Sequence, residues 1–303
     1  MSALPTRRLG SSDLQVTVVG LGCNNFGRRI GLEETHAVVD AALEAGIDFL
    51  DTADIYGSSE DLLGEVLSGR REQVVLATKF GAERGGDLPG EPGSAEYVRA
   101  ACERSLRRLR VDVIDLYQCH LPNPAVPIPE TLGAMASLVS EGKVRHLGVS
   151  NFSTEQLEEA CSVTSVASLQ NEYSLLRRGI ERDVVPACER LGVSVIPYFP
   201  LASGLLSGKY SRGAPAPEDS RLAGRDSIAT DAEWDVIEAL SRFAAERGID
   251  LIDVAIGGLA AQPAVASVIA GAKHPEQARR NARAGLWVPS AEELAELDRI
   301  APR

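Results

Sequence analysis

DFLDTADIYG, residues 48–57, opens as a strand and closes on ionisable groups, Asp51, Asp54 and Tyr56. A hydrophobic run that leads into acids and a phenol has a use beyond packing, because burying an unpaired carboxylate costs several kcal/mol. The same grammar recurs downstream, where VVLATKF (74–80) runs into Lys79 and VIDLYQCH (113–120) runs into His120. Stretches patterned at helical spacing follow, near 59–69 and 94–109. Working outward, VTVVGLG (16–22) precedes a helix near 33–45, and VRHLGVSN (144–151), SLQNEY (168–173), VSVIPYFP (193–200) and ASVIAGA (266–272) continue the alternation to eight strands. Near-continuous hydrophobic strands imply a parallel sheet covered on both faces. Eight strand–helix units in series predict a closed (β/α)8 TIM barrel, with a doubly wound open sheet as the competitor.

TRRLGSSDLQV, near the start, predicts an N-terminal β-hairpin under the barrel. No low-complexity linker divides residues 1–303, so one domain is expected, with the Gly/Pro/Ser-rich segment near 203–220 as a loop over the barrel top. DVAIGGLAAQ is read as helix although Gly257 and Gly258 each cost about 1 kcal/mol relative to Ala. Trp234 and Trp287 lie at no strand end and are read as packing residues.

The 303 residues carry a formal net charge of −12, which argues against nucleic acid or an acidic membrane as partner. Five scattered cysteines without a CxxC pair read as reduced, buried thiols of a cytoplasmic protein. No run approaches the ~20 apolar residues of a membrane span, and MSALPTRRLGSS lacks a signal-peptide core. The four histidines show no metal-ligand spacing, so no metal is expected. GLGCNNFG has Asn25 where a dinucleotide fingerprint needs its third glycine, and GLLSGKY is a failed P-loop. GVSNF lacks the second glycine of a hydrolase elbow. The basic run of Arg104, Arg107, Arg108 and Arg110 is read as a solvated helix face.

In a barrel the C-terminal strand ends meet on one rim, so Asp51, Tyr56, Lys79 and His120 are expected to share a site. Each alone is more often a turn cap or a structural side chain. Together they are complementary: an acid fixes an ammonium, and the ammonium lowers the pKa of a phenol whose ordinary value is ~10. Such a tyrosine can pass a proton to an alkoxide, as carbonyl reduction requires, with the hydride supplied by a cofactor.

These residues sit in motifs that resemble the aldo-keto reductases, in the branch of general bacterial oxidoreductases related to potassium-channel β subunits. The motifs are RRLGSSDLQVTVVGLGCNNFG, GIDFLDTADIYGSSEDLLGEVL, ATKF, SLRRLRVDVIDLYQCHLPNP, GKVRHLGVSNFS, LQNEYSLL, VSVIPYFPLASGLLSGKY and VIAGAKHPEQARRN, in that order along nearly the whole chain. The resemblance implies a catalytic tetrad of Asp51, Tyr56, Lys79 and His120, with Tyr56 as general acid, Lys79 as its pKa modifier, Asp51 as the lysine's partner and His120 orienting the carbonyl. It implies Ser150, Asn151 and Gln170 on the nicotinamide carboxamide and Tyr198 stacked on the ring. Pyrophosphate is expected under Pro200, Leu201, Gly204, Leu205, Ser207 and Lys209, and the adenosine end near Gly271, Lys273, Gln277 and Asn281. Lys273 is assigned to the 2′-phosphate of NADP, because a compact cation suits a dianion. Tyr198-Phe199-Pro200 stands where relatives commonly read Tyr-Ser-Pro, so one hydroxyl is missing there. Asn24 and Phe26 are expected as pocket walls. The function expected is NADPH-dependent reduction of aldehydes or ketones, with an NAD-dependent sugar or alcohol dehydrogenase and a cofactor-sensing binding protein as alternatives.

Overall fold

The computed structural model describes residues 3–82, 88–218, 220–225 and 227–303. An antiparallel hairpin of β1 (Thr6–Arg8) and β2 (Gln15–Thr17) precedes the barrel strands. These are β3 (Val19–Gly22), β4 (Phe49–Asp51), β5 (Val75–Phe80), β6 (Ile114–Cys119), β7 (Val144–Ser150), β8 (Ser168–Gln170), β9 (Ser194–Val195) and β10 (Val268–Gly271). They pair in parallel in the order β10-β3-β4-β5-β6-β7-β8-β9. Beside β9, Val195 bridges Val265 in parallel, Ala266 N donates to Val195 O at 3.1 Å and Ile269 N to Pro197 O at 3.2 Å, which draws the open edges together into the expected (β/α)8 ring.

The covering helices are α1 (Leu32–Glu44), α2 (Ser59–Val66), α3 (Ala95–Leu109), α4 (Ile128–Ser140), α5 (Thr154–Val163), α6 (Val184–Leu191), α7 (Asp231–Glu246), α8 (Leu251–Ala260), α9 (Pro275–Ala284) and α10 (Ala291–Ile300). Among the described residues, no helix is long and apolar enough to cross a membrane.

The run 16–22 is not one strand. Asp48 Oδ1 accepts both the amide and the hydroxyl of Thr17 at 2.8 Å, with Val19 O 2.9 Å from the same hydroxyl oxygen, so the chain turns out of the hairpin before entering the barrel. The runs 168–173 and 193–200 are also shorter than read. Pro197 and Pro200 have no N–H for a ladder, and beyond β8 and β9 only the Glu172–Tyr198 bridge continues the pairing.

The hairpin plugs the barrel floor. Leu9, Leu14 and Val16 pack with Phe49, Ala77, Leu116, Ala167, Ile196 and Ala266, all buried. Arg7 Nη1 donates to Val265 O at 2.6 Å. Gly10, at φ +55, approaches Ala167 so closely that a Cβ would lie 2.2 Å from its carbonyl oxygen, and no side chain fits there. The stretch DVAIGGLAAQ enters helix α8, and a Cβ on Gly257 would meet the Trp287 ring at 2.7 Å. That close approach accounts for a costly residue inside a helix, and Trp234, buried with Leu206 and Tyr210, packs as Trp287 does.

Candidate active site

Parallel register carries the expected groups to one rim. Asp51 pairs with Ala77 and Lys79 with Gln118, so the ends of β4, β5 and β6 stand side by side. Lys79 is fully buried, its ammonium 2.5 Å from Asp51 Oδ2 and 2.8 Å from Thr52 O. The other carboxylate oxygen accepts from Gln118 Nε2 at 3.0 Å and Gln170 Nε2 at 2.9 Å. A buried ion pair is tolerable only when its remaining lone pairs are met, and here both oxygens of Asp51 are. Gln118 escaped the sequence reading. Its signal was the strand period of two, which puts residue 118 on the face of His120.

The Lys79 ammonium lies 5.1 Å from the centroid of the half-buried Tyr56 ring, and the His120 ring meets Tyr56 edge-on with centroids 5.9 Å apart. Burial disfavours the Lys79 cation, but the charges of Asp51 and Tyr56 outweigh it and hold the ammonium above its ordinary pKa. For Tyr56 the balance differs from the simple expectation: burial pushes the phenol up, Lys79 pulls it down, Asp51 adds to the rise, and the result is upward. Tyr56 is therefore protonated at neutral pH. Burial, then the charge of Lys79, pushes His120 down to about 3, which makes the imidazole neutral. Its Nδ1 is buried without a hydrogen-bond partner among the described residues. An orphaned N–H costs more than an orphaned lone pair where nothing accepts it, so the proton belongs on Nε2.

Asp51, Tyr56 and His120 border a cavity of about 800 Å³ that extends across the rim to β10. Ser150, Asn151, Gln170 and Tyr198 line its middle, where their polar groups bond to one another and to neighbours. Asn151 Nδ2 donates to His120 O at 3.0 Å, the Tyr198 hydroxyl to Asn151 Oδ1 at 2.8 Å, and Ser150 Oγ to Gln170 O at 2.7 Å. Pro200, Leu201, Gly204, Ser207 and Lys209 line one far wall, and Gly271, Lys273, Gln277 and Asn281 the other. Phe199, Ala202 and Ser203 all adopt left-handed backbone, at φ 53, 45 and 60, strain of the kind that concentrates at ligand sites.

Three expectations need correction. Leu205 is absent from the lining and packs in the cluster of Leu206, Tyr210 and Trp234, because the strained turn rotates it inward. Phe26 is fully buried in the core beneath the rim loop, and Asn24 and Asn25 face the cavity in its place. The basic run is a solvated face only at Arg107 and Arg110, which are exposed: Arg104 Nη2 bonds Asp54 Oδ2 at 2.9 Å, and Arg108 lies 3.2 Å from Glu60 and 2.9 Å from Asp61.

The far cavity is lined by Arg29, Lys209, Arg221, Arg225, Lys273 and Arg280, in a chain of net charge −12. No carboxylate among the described residues pairs with Arg29 or Arg221 within 4 Å. Burial, then the charge of Arg29, lowers the Arg221 pKa. Cations gathered beside one another in this way fit a ligand with several negative charges, as a dinucleotide's phosphates are.

The family model for the Aldo/keto reductase family matches residues 18–302. The chain belongs to that family. An aldo-keto reductase, AKR11C1 from Bacillus halodurans in its holo form, is 35% identical at a TM-score of 0.82, with 98% of this chain and 96% of that one covered. The glycerol dehydrogenase AKR11B4 from Gluconobacter oxydans is 29% identical at a TM-score of 0.84, with 97% and 94% covered. This aldo/keto reductase is accordingly an NAD(P)H-dependent oxidoreductase.

Proposed function

We propose that this aldo/keto reductase is a cytoplasmic enzyme that reduces small aldehydes or ketones with NADPH, acting on neither nucleic acid nor membrane. One observation carries the reading: a buried lysine, fixed by an aspartate, stands behind a tyrosine that shares a cavity mouth with a neutral histidine. Bound dihydronicotinamide would supply the hydride. Ser150, Asn151 and Gln170 are the groups for its carboxamide, Tyr198 for the ring, and Pro200, Leu201, Gly204, Ser207 and Lys209 for the pyrophosphate. Gly271, Lys273, Gln277 and Asn281 would take the adenosine end, with Lys273 on the 2′-phosphate.

The remaining steps belong to side chains. His120 Nε2–H donates to the carbonyl oxygen and orients it, which a neutral imidazole does without giving up a proton. Tyr56 O–H donates to the same oxygen and transfers its proton as negative charge develops there. Lys79 stabilises the phenolate left behind, and Asp51 holds the ammonium in place. In the oxidation direction Tyr56 takes the proton back, so the same groups would serve an alcohol dehydrogenase, a reading favoured by the likeness to a glycerol dehydrogenase.

Purified protein with NADPH and a panel of aldehydes and ketones, followed at the nicotinamide absorbance band, tests the proposal. Turnover that Tyr56→Phe abolishes supports it. No turnover on any carbonyl, or an unaffected Tyr56→Phe variant, would overturn it. Tight NADPH binding with negligible single-turnover rate would favour a cofactor-sensing protein.

A further inference from the structure

Tyr56 stands on the loop 52–58 between β4 and α2. Thr52 N and Asp54 N still bond the β5 carbonyls of Ala77 and Lys79, at 2.9 and 3.0 Å, and beyond Asp54 the loop's position depends on where its carbonyls find donors. Each one has a partner. Thr52 O accepts from Lys79 Nζ at 2.8 Å. Ala53 O accepts from Tyr56 N at 3.1 Å, Tyr56 O from Ser59 N at 3.1 Å, and Ser58 O from Leu62 N at 2.9 Å. The other three are taken by arginines: Ile55 O by Arg28 Nη2, Asp54 O by Arg108 Nη1 at 3.1 Å, and Gly57 O by Arg108 Nη2.

One guanidinium on α3 therefore grips the backbone on both sides of the Ile55–Tyr56 pair. It is itself anchored, with Nε on Asp61 Oδ2 at 2.9 Å and Nη1 3.2 Å from the buried Glu60. Glu60 Oε1 in turn accepts from Thr78 Oγ1 at 2.7 Å, and Thr78 precedes Lys79 on β5. The chain of contacts runs from the tyrosine's loop through Arg108 and Glu60 to the strand that carries the ammonium. Arg108 does not line the cavity.

We propose that Arg108 is a positioning residue for the reaction, fixing the loop so that the Tyr56 hydroxyl is held against Lys79. This rests on Tyr56 being the proton donor. A planar fork presents its donors in a fixed geometry to two carbonyls three residues apart, whereas a lysine at the same place is shorter and offers one compact ammonium whose donors must also serve Glu60 and Asp61.

The test uses the full chain with Arg108→Met and Arg108→Lys, and Tyr56→Phe in parallel. kcat is measured at saturating NADPH across pH, and cofactor Kd and site count by nicotinamide fluorescence. Displacing a reacting group by about 1 Å costs on the order of 100-fold, so kcat per site should fall roughly 10- to 100-fold in both variants, with cofactor Kd within about twofold. The alkaline limb of kcat should move to higher pH, because a phenol further from Lys79 loses its downward pull. The groups acting on that phenol include Lys79, Asp51, Cys23, His120, Arg28 and Arg221, and none of them is altered.

A merely structural role would let Arg108→Lys, which keeps the charge beside Glu60 and Asp61, restore thermal stability and kcat together. That result, an unmoved alkaline limb, or kcat per site within about threefold of the native protein in both variants, would overturn the proposal. If Arg108→Met fails to fold, Arg108→Lys decides by the same readings. An inert Tyr56→Phe beside fully active Arg108 variants removes only this inference, whereas a fully active Tyr56→Phe removes the reading beneath it.

Discussion

The two halves of the rim hold charge in opposite ways. Between β4 and β6 the charges are buried and matched: Lys79 has Asp51 and Thr52 O, and Asp51 has both glutamines. Across the cavity, Arg29 and Arg221 have no carboxylate among the described residues within 4 Å, and the backbone around residues 199–204 is left-handed at several positions. On the proposed function the difference reflects two tasks. A proton donor must stand at a fixed distance from the cation that tunes it, and a matched hydrogen-bond set provides that rigidity. On the proposed function the far wall binds anions, and cations such as Arg29 and Arg221, which no carboxylate among the described residues holds within 4 Å, are suited to that.

The most severe way to break the comparison is Tyr56→Phe, which removes one hydroxyl from the matched half. A general acid contributes about 10²- to 10⁴-fold, so kcat should fall by that order while the unfolding midpoint in urea stays put. Lys79→Met follows. It leaves Asp51 charged and buried with only two amide donors, and stability should drop by about 3–5 kcal/mol, read from chemical denaturation. On the unmatched half the signature inverts: Arg221→Ala should leave stability within about 0.5 kcal/mol and raise the NADPH Kd roughly tenfold, an effect that shrinks as salt is added. Lys273→Ala should bring NADPH and NADH affinities closer together, and an unchanged ratio would refute its assignment to the 2′-phosphate.

The smallest expected effect concerns pH. With His120 at about 3 and Tyr56 above its ordinary value, neither group changes protonation near neutrality. Burial depresses the histidine, so its neutral form persists well below the usual imidazole range and is lost only as pH falls toward 3. kcat for reduction should stay flat across roughly pH 5–8, where an ordinary histidine would put a bend near 6.5. A bend there that His120→Gln abolishes would show that the imidazole is charged in the working enzyme.

That Asp51, Lys79 and His120 share a rim was legible because strand ends announce themselves: a hydrophobic run stops at a polar group, and barrel topology brings such stops together, with Tyr56 in the loop just beyond one of them. Gln118 was missed, although the strand period places it on the face of His120. Phe26 and Leu205 were not legible. Both sit in turns, where period is lost, and Phe26 N bonding Cys23 O at 3.1 Å belongs to a turn that sends the ring into the core. Arg104 and Arg108 are spaced four apart and so share a helix face, which the sequence displays; that the face meets Asp54 and Glu60 it does not.

By itself, the sequence determined the alternation of strands and helices, the hairpin, the family and the four reactive residue types, because each depends on local period or on motifs read in order. Tertiary structure alone decided the protonation states of Tyr56 and His120, the direction of the arginine face and the inward turn of Phe26. Those follow from desolvation and from through-space neighbours far apart in the chain, and neither quantity exists until the barrel has closed.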